Sequence, residues 1–322
     1  MKKAVQRVLG RSGLLSAGLR ARSGRPLILM YHGVSAESQF AGLRNASDLH
    51  LPRDLFAQHV KLLRRYRRVI GMTEMVTGLR EGDDLSNTVA LTFDDGYENN
   101  VSQAAPILAD QNMPAAFFLA TAYIGTDRWI WTDQLERAFD TTRVSRLHWH
   151  GHELPLETRE QRRAALGTVK AELKRMHIDR RDIEMQEVSV LLRLSYAPPS
   201  MDYRFMNWQQ ARQLVDAGFE VGAHTVNHAI LSRLPQAQAE SEILQSRDAV
   251  TAGTGRCCPV FCYPNGKPED YNEAVIDICQ RHFIAALGTG RGTAHPNELF
   301  RLARLSTFGD ADSLAWLLLR EQ

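Results

Sequence analysis

The chain of 322 residues is 44% hydrophobic and 24% charged, with a formal net charge of +2. That is the composition of a globular protein with a sizeable core, and its near-balanced charge gives no general preference for nucleic acid or acidic partners. No run approaches the ~20 consecutive apolar residues of a membrane-spanning helix.

The charge is unevenly placed. Lys2, Lys3, Arg7, Arg11, Arg20, Arg22 and Arg25 precede Pro26 without a single carboxylate, which leaves the remainder at −5. Residues 1–25 read either as a frayed basic leader or as an amphipathic segment that gives peripheral membrane contact. Arg7, Arg11 and Arg20 interrupt any secretory apolar region, so the expected location is cytoplasmic, at most at the inner face of the membrane. Cys257, Cys258, Cys262 and Cys279 lack C-x-x-C spacing, and reduced thiols are expected rather than a zinc ribbon.

From Pro26 onward, short apolar runs alternate with segments of helical period. The runs at Leu27–Tyr31, Val89–Phe93, Ala115–Ala120, Phe219–Gly222, Val260–Tyr263, Phe283–Leu287 and Leu302–Ser306 predict strands. Helices are predicted between them at Pro52–Tyr66, Met72–Leu79, Asn100–Ala109, Trp208–Ala217, Ala237–Val250, Asp270–Arg281 and Ser313–Arg320. Asn207 and Gln210 have the spacing of a capping box, with Gly218 where a terminating glycine belongs. Uniformly apolar strands separated by helices imply an α/β fold with a parallel sheet, and about seven units favour a closed or nearly closed barrel. No glycine-rich nucleotide loop follows any strand, which weakens a dinucleotide-binding reading.

Residues 125–206 break this rhythm. They contain "RLHWHGHELPL", a hairpin turning at His150-Gly151, and the polar helical runs Glu160–Met176 and Asp182–Leu194. They read as a mainly helical insertion into a barrel spanning 26–322. The alternating His148, His150 and His152 are splayed by the turn and read as structural.

Several strands end in chemistry. "LILMY" runs directly into His32 and Gly33. "VALTF" runs into Asp94-Asp95-Gly96, where the glycine permits a turn that brings both carboxylates into one pocket; Asp83-Asp84, set among loop residues, reads as a plain surface turn. "GFEVGA" runs into His224, and His228 follows one helical turn later, a spacing that suits two ligands of one divalent metal. With Asp95 they make a two-histidine, one-carboxylate set that leaves a coordination position open. In "VFCYPNG", Pro264 and Gly266 force a turn that can aim the Asn265 N–H at the same barrel mouth. Each piece alone is also compatible with an ordinary turn or a buried histidine.

Taken together and in this order, "TFDDG", "HTVNH" and "YPNG" resemble the polysaccharide deacetylases of the NodB-homology group, carbohydrate esterase family 4. The resemblance covers Pro26 to Phe308 without the insertion. It implies a distorted (β/α) barrel that removes N- or O-acetyl groups from an acetylated glycan with a divalent metal, zinc first, with cobalt or nickel as alternatives. It implies Asp94 as catalytic base, Asp95, His224 and His228 as metal ligands, and the Asn265 backbone as oxyanion donor. The arginine that orients the base in many relatives is replaced by Phe261, so Arg304 is nominated in its place, with Arg301 the weaker choice. "LMYHGV" is similar to a rearranged subgroup of biofilm-glycan deacetylases that begin "MYH", which implies His32 as general acid, with Gly33 turning the backbone away to leave room for substrate. Tyr97, Trp129 and Trp131 are candidate substrate contacts; the tryptophans either stack on sugar faces or anchor the insertion. A saccharide-binding pseudoenzyme and a small-amide hydrolase are the competing readings.

Overall fold

The structure, a computed structural model, describes residues 18–19, 24–256 and 259–321. Most of the basic leader, together with Cys257 and Cys258, lies outside these residues. Leu19 is buried in the main core. No described helix is long and apolar enough to cross a membrane.

The apolar run Leu27–Tyr31 forms the fully buried strand β1, followed by the short pair β2 (Gly33–Ser35) and β3 (His50–Pro52). Then come α1 (Arg53–Tyr66), β4 (Arg68–Val69), α2 (Met72–Glu81), β5 (Thr88–Phe93), a π turn at Asn100–Ala104 leading into α3 (Ala105–Asp110), and β6 (Ala116–Leu119). Between β6 and the next sheet strand lie α4 (Trp131–Thr141), β7 (Arg146–Trp149), β8 (His152–Pro155), α5 (Arg159–Leu173), α6 (Ile178–Leu191) and α7 (Trp208–Asp216). The chain closes with β9 (Glu220–Ala223), α8 (Gln236–Thr254), β10 (Val260–Cys262), α9 (Glu273–His282), β11 (Ala285–Leu287), β12 (Leu305–Ser306) and α10 (Ala311–Arg320).

The sheet runs β11-β10-β9-β6-β5-β1-β12, with β4 joining the start of β5. Its pairings are all parallel. The last segment joins the two ends of the curl: Leu302 bridges Leu287 of β11, and three residues later Leu305 registers with Leu29 of β1. Because side chains alternate along a strand, one set (Leu29, Leu91, Phe117, Phe261) packs outward under the covering helices. The other (Ile28, Ala90, Ala116, Val260, Cys262) faces inward, where small residues leave room for Met72, Met75, Val76 and Leu79 of α2.

Asn207 and Gln210 form the reciprocal cap of α7, and Gly218 follows with φ 89°. The helix expected from Asp270 begins instead at Glu273, because Pro268–Asp270 forms a 3-10 turn and Asn272 caps α9 with its side chain. The hairpin β7–β8 turns on His150 and Gly151, both at positive φ, the conformation of a tight two-residue connection. His150 stacks on Trp149, and His150 and His152 both reach Glu172. The segment holding α4 to α6 has its own apolar cluster around Trp131, Leu135, Phe139, Leu166 and Val188.

Candidate active site

The chemical side chains gather beyond the carboxyl ends of the strands, where a parallel barrel places its site. His32 follows β1, Asp94 and Asp95 follow β5, His224 follows β9, and Asn265 lies in the turn after β10. Strand alternation aims them. Ile28, Met30 and His32 share one side of their strand, as do Ala90, Thr92 and Asp94, and as do Leu302 and Arg304. His32, Asp94, Asp95, His224, His228 and Asn265 line one cavity of about 400 Å³.

Asp94 and Arg304 are both almost fully buried and paired as a fork. Nη1 donates to Oδ1 at 2.6 Å and Nη2 to Oδ2 at 2.8 Å. The guanidinium is itself held: Nε donates to the Gly288 carbonyl at 3.0 Å, and Nη1 to Thr92 Oγ1 at 3.1 Å. Burial alone pushes the Asp94 carboxyl up, but Arg304, with His224 and His32 in support, holds the group below the ordinary carboxylate range. Arg301, three residues away, faces outward and pairs with Glu273. Phe261 faces outward with Phe283, while its neighbour Cys262 turns inward, its Sγ 3.5 Å from Asp94 Oδ1.

Asp95 sits beside this pair with φ 72°, at the centre of a γ-turn closed by Gly96 N–H donating to the Asp94 carbonyl at 2.9 Å. Gly96 has φ 89°, and an added Cβ would lie 2.9 Å from a Leu119 methyl, so the turn needs glycine on both counts. Asp95 Oδ1 lies 3.6 Å from His224 Nε2 and 3.2 Å from His228 Nε2. The His224 Nδ1–H donates to the Cys262 carbonyl at 2.8 Å, which leaves Nε2 as a lone-pair atom facing the carboxylate. Asp95 Oδ1 is buried and hydrogen-bonded to nothing. Burial lowers the His224 pKa to about 4, so the imidazole is neutral and ligand-ready. Three ligand-type atoms thus converge on one point, and Asp95, His224 and His228 could hold a divalent ion. A second grouping, Asp94, His224 and Cys262, is equally close, but both Asp94 oxygens already serve Arg304 and burial keeps the Cys262 thiol protonated.

Asn265 repeats the device of Asp95. It has φ 58°, at the centre of a γ-turn in which Gly266 N–H donates to the Pro264 carbonyl at 2.7 Å. Two strained turns at one mouth are where functional backbone is found.

Three expectations change. Tyr97 is fully buried; its hydroxyl donates to Asp133 Oδ2 at 2.7 Å and its ring stacks on Phe205, so it fastens α4 to the barrel and offers no face to a substrate. Trp131 is likewise taken up by the insertion's core. Gly33 makes no turn; it begins β2, where a Cβ would lie 1.9 Å from His50 Nδ1, so it makes room for a buried imidazole. Trp129 is half-buried, donates from Nε1 to the Ala197 carbonyl at 2.8 Å, and lines a separate cleft of about 490 Å³ with Tyr203. That cleft and the cavity of Asp94 and Asp95 are lined by adjacent α4 residues, Asp133 and Thr132.

The sequence reading passed over His50, Lys170 and Lys174. His50 is buried near Asp95, and burial lowers its pKa to about 3. The two lysines come from α5 and its end, and they line the same cavity as Asp94, Asp95 and the histidines. Only the spacing of Lys170 and Lys174, one turn apart, could have flagged them as a pair.

The family model for polysaccharide deacetylase matches residues 81–204 and 195–286, a span that contains both carboxylates, both histidines and Asn265. A Bacillus subtilis protein named "Putative polysaccharide deacetylase YxkH" is 28% identical over 138 residues, 42% of this chain and 46% of that protein, so the match spans less than half of its length. Among solved structures, the Streptococcus pyogenes deacetylase PplD in complex with acetate is similar with a TM-score of 0.60, at 18% identity, over 92% of this chain and 99% of that one. IcaB from Ammonifex degensii is similar with a TM-score of 0.58, at 16% identity, over 92% and 98%. At such identities the structures speak for the fold alone, while the family match includes Asp94, Asp95, His224, His228 and Asn265 but not His32 or Arg304; the chain belongs to the polysaccharide deacetylase family.

Proposed function

We propose that this protein is a metal-dependent hydrolase that removes acetyl groups, N-acetyl foremost, from an amino-sugar polysaccharide or its lipid-linked precursor. One observation carries the reading: the buried Asp95 Oδ1, within 3.6 Å of two histidine nitrogens, shares a cavity with a carboxylate locked by Arg304. A nitrogen and oxygen donor set of this kind suits Zn²⁺ first, with Co²⁺ or Ni²⁺ able to substitute. When bound, such an ion supplies Lewis acidity and a water of lowered pKa.

The chain's own residues do the rest. Asp94 accepts the proton of the water that adds to the acetyl carbonyl. Arg304 keeps that carboxylate ionised and fixed in direction, at a cost in basicity. A carboxylate held below its usual range is too weak a base for ordinary water, so the Arg304 fork itself argues for an ion alongside. The Asn265 N–H, which donates to nothing among the described residues, supports the oxyanion. His32, on the wall of the same cavity, gives a proton to the departing amine as the C–N bond breaks and acetate leaves.

Acetate release from a panel of N- and O-acetylated oligosaccharides tests the reading, before and after chelation and with each metal restored. Turnover that survives exhaustive chelation removes the metal, and no release from any member removes the activity.

A further inference from the structure

The catalytic cavity has a cationic wall that the hydrolysis does not use. Lys170 of α5 and Lys174 at its end line it together with Ser47 and Thr132, in company with the carboxylates and histidines. Lys170 is partly satisfied: its Nζ donates to Ser47 Oγ at 2.7 Å and lies 3.7 Å from Glu136 Oε1. Lys174 is half-buried, and no carboxylate forms an ion pair with it among the described residues. Burial lowers its pKa, Lys170 and Lys267 add to the effect, and Asp270 and Glu269 act against it. The negative charges of the cavity are already spoken for, Asp94 by Arg304 and Asp95 by its place in the ligand set. An ammonium drawn out of water without a carboxylate in direct contact is costly unless something anionic meets it.

We propose that the cavity takes an acetylated saccharide bearing an anion, a carboxylate or a phosphate beside the acetamido sugar, and that Lys174 is its anion contact with Lys170 in support. This deepens the deacetylase reading and rests on it. A lysine ammonium is a compact charge that serves either anion. The same wall helps the product leave, since the newly formed sugar ammonium is repelled by Lys174.

The test compares kcat/KM for acetate release from neutral tetra-N-acetylchitotetraose, its 1-phosphate, a heparosan tetrasaccharide (alternating glucuronate and N-acetylglucosamine) and its carboxyl-reduced form. The wild type should prefer an anionic probe over its neutral counterpart by about tenfold or more, chiefly through KM. The preference should shrink as salt rises from ~0.05 to ~0.5 M. Lys174→Gln should abolish it and Lys174→Arg retain it, and the favoured probe tells carboxylate from phosphate. Equal rates on charged and neutral probes, or a preference that survives Lys174→Gln, overturn the proposal and leave the deacetylase reading standing. If no probe releases acetate, that reading falls, and calorimetric binding of both anionic probes to the Asp94→Asn protein still decides the cationic site. Binding that Lys174→Gln weakens about tenfold supports it, and binding indifferent to Lys174 overturns it.

Discussion

Replacing Arg304 by Met removes a fully buried guanidinium that donates to Gly288, Thr92 and both oxygens of Asp94. The shape is roughly kept, but Asp94 is left as a buried carboxylate without its partner. Breaking a buried pair from one side costs about 3–5 kcal/mol, which lowers the melting temperature on the order of 5–10 °C for a protein of this size. The sign of the pH dependence comes from Asp94. In the native protein its pKa is depressed, so its contribution to stability is present above the unfolded value of about 3.9 and lost as pH falls through the folded pKa. In the variant burial is opposed only by His224 and His32 and raises the pKa, so the penalty is full at neutral pH and fades as the acid protonates. Melting curves of the two proteins, recorded with chelator between pH 4 and pH 8, should therefore lie far apart at the upper end and draw together at the lower. Turnover at pH 7 should fall about 10²-fold, the cost of a misplaced catalytic group. A variant with native melting temperature and native turnover would refute the reasoning, because the fork would then neither stabilise nor orient.

Four further outcomes are expected. The Asp95→Ala, His224→Ala double variant should lose stoichiometric divalent metal by elemental analysis; undiminished metal would mean the ligands lie elsewhere. Asp94→Asn should keep its metal and lose about 10²–10⁴-fold in kcat, and near-native rates would sink the base assignment. His32→Ala should keep both metal and melting temperature while kcat drops about 10²-fold or more; unchanged deacetylation ends its role as acid. Tyr97→Phe should cost about 1–3 kcal/mol by leaving Asp133 without its donor, seen in denaturant melts, and should leave KM alone; a large KM change with full stability would restore Tyr97 as a substrate contact.

Much of the architecture was legible because it depends on short-range periodicities. Uniform burial in "LILMY" and "VALTF" marks strands covered on both faces, and "NWQQ" marks the start of α7 through its own side chains. Alternation then decides what a strand delivers: Asp94 inherits the inward side of Ala90 and Thr92, and Arg304 takes the side opposite Arg301, which is why one arginine of "LFRLARLS" meets the base and the other meets Glu273. The pairing of Arg304 with Asp94 joins residues 210 positions apart. It was still a reasonable choice from sequence, because the last strand of a barrel must return beside the first.

What only the tertiary structure decided are matters of proximity between elements that carry no local signature of each other. Tyr97 and Trp131 have the composition of sugar-stacking residues, yet both are used up in fastening the insertion, since an aromatic ring is as useful to a core as to a ligand. Gly33 looks like a hinge and is a gap for His50, an imidazole from a different strand. Lys170 and Lys174 lie on a polar helix that by itself reads as solvated, and they face the catalytic cavity only because α5 folds back over the barrel mouth. A sequence can state which side of its own strand or helix a residue takes; which surface that side meets is a long-range contact, and it exists only once the chain has closed.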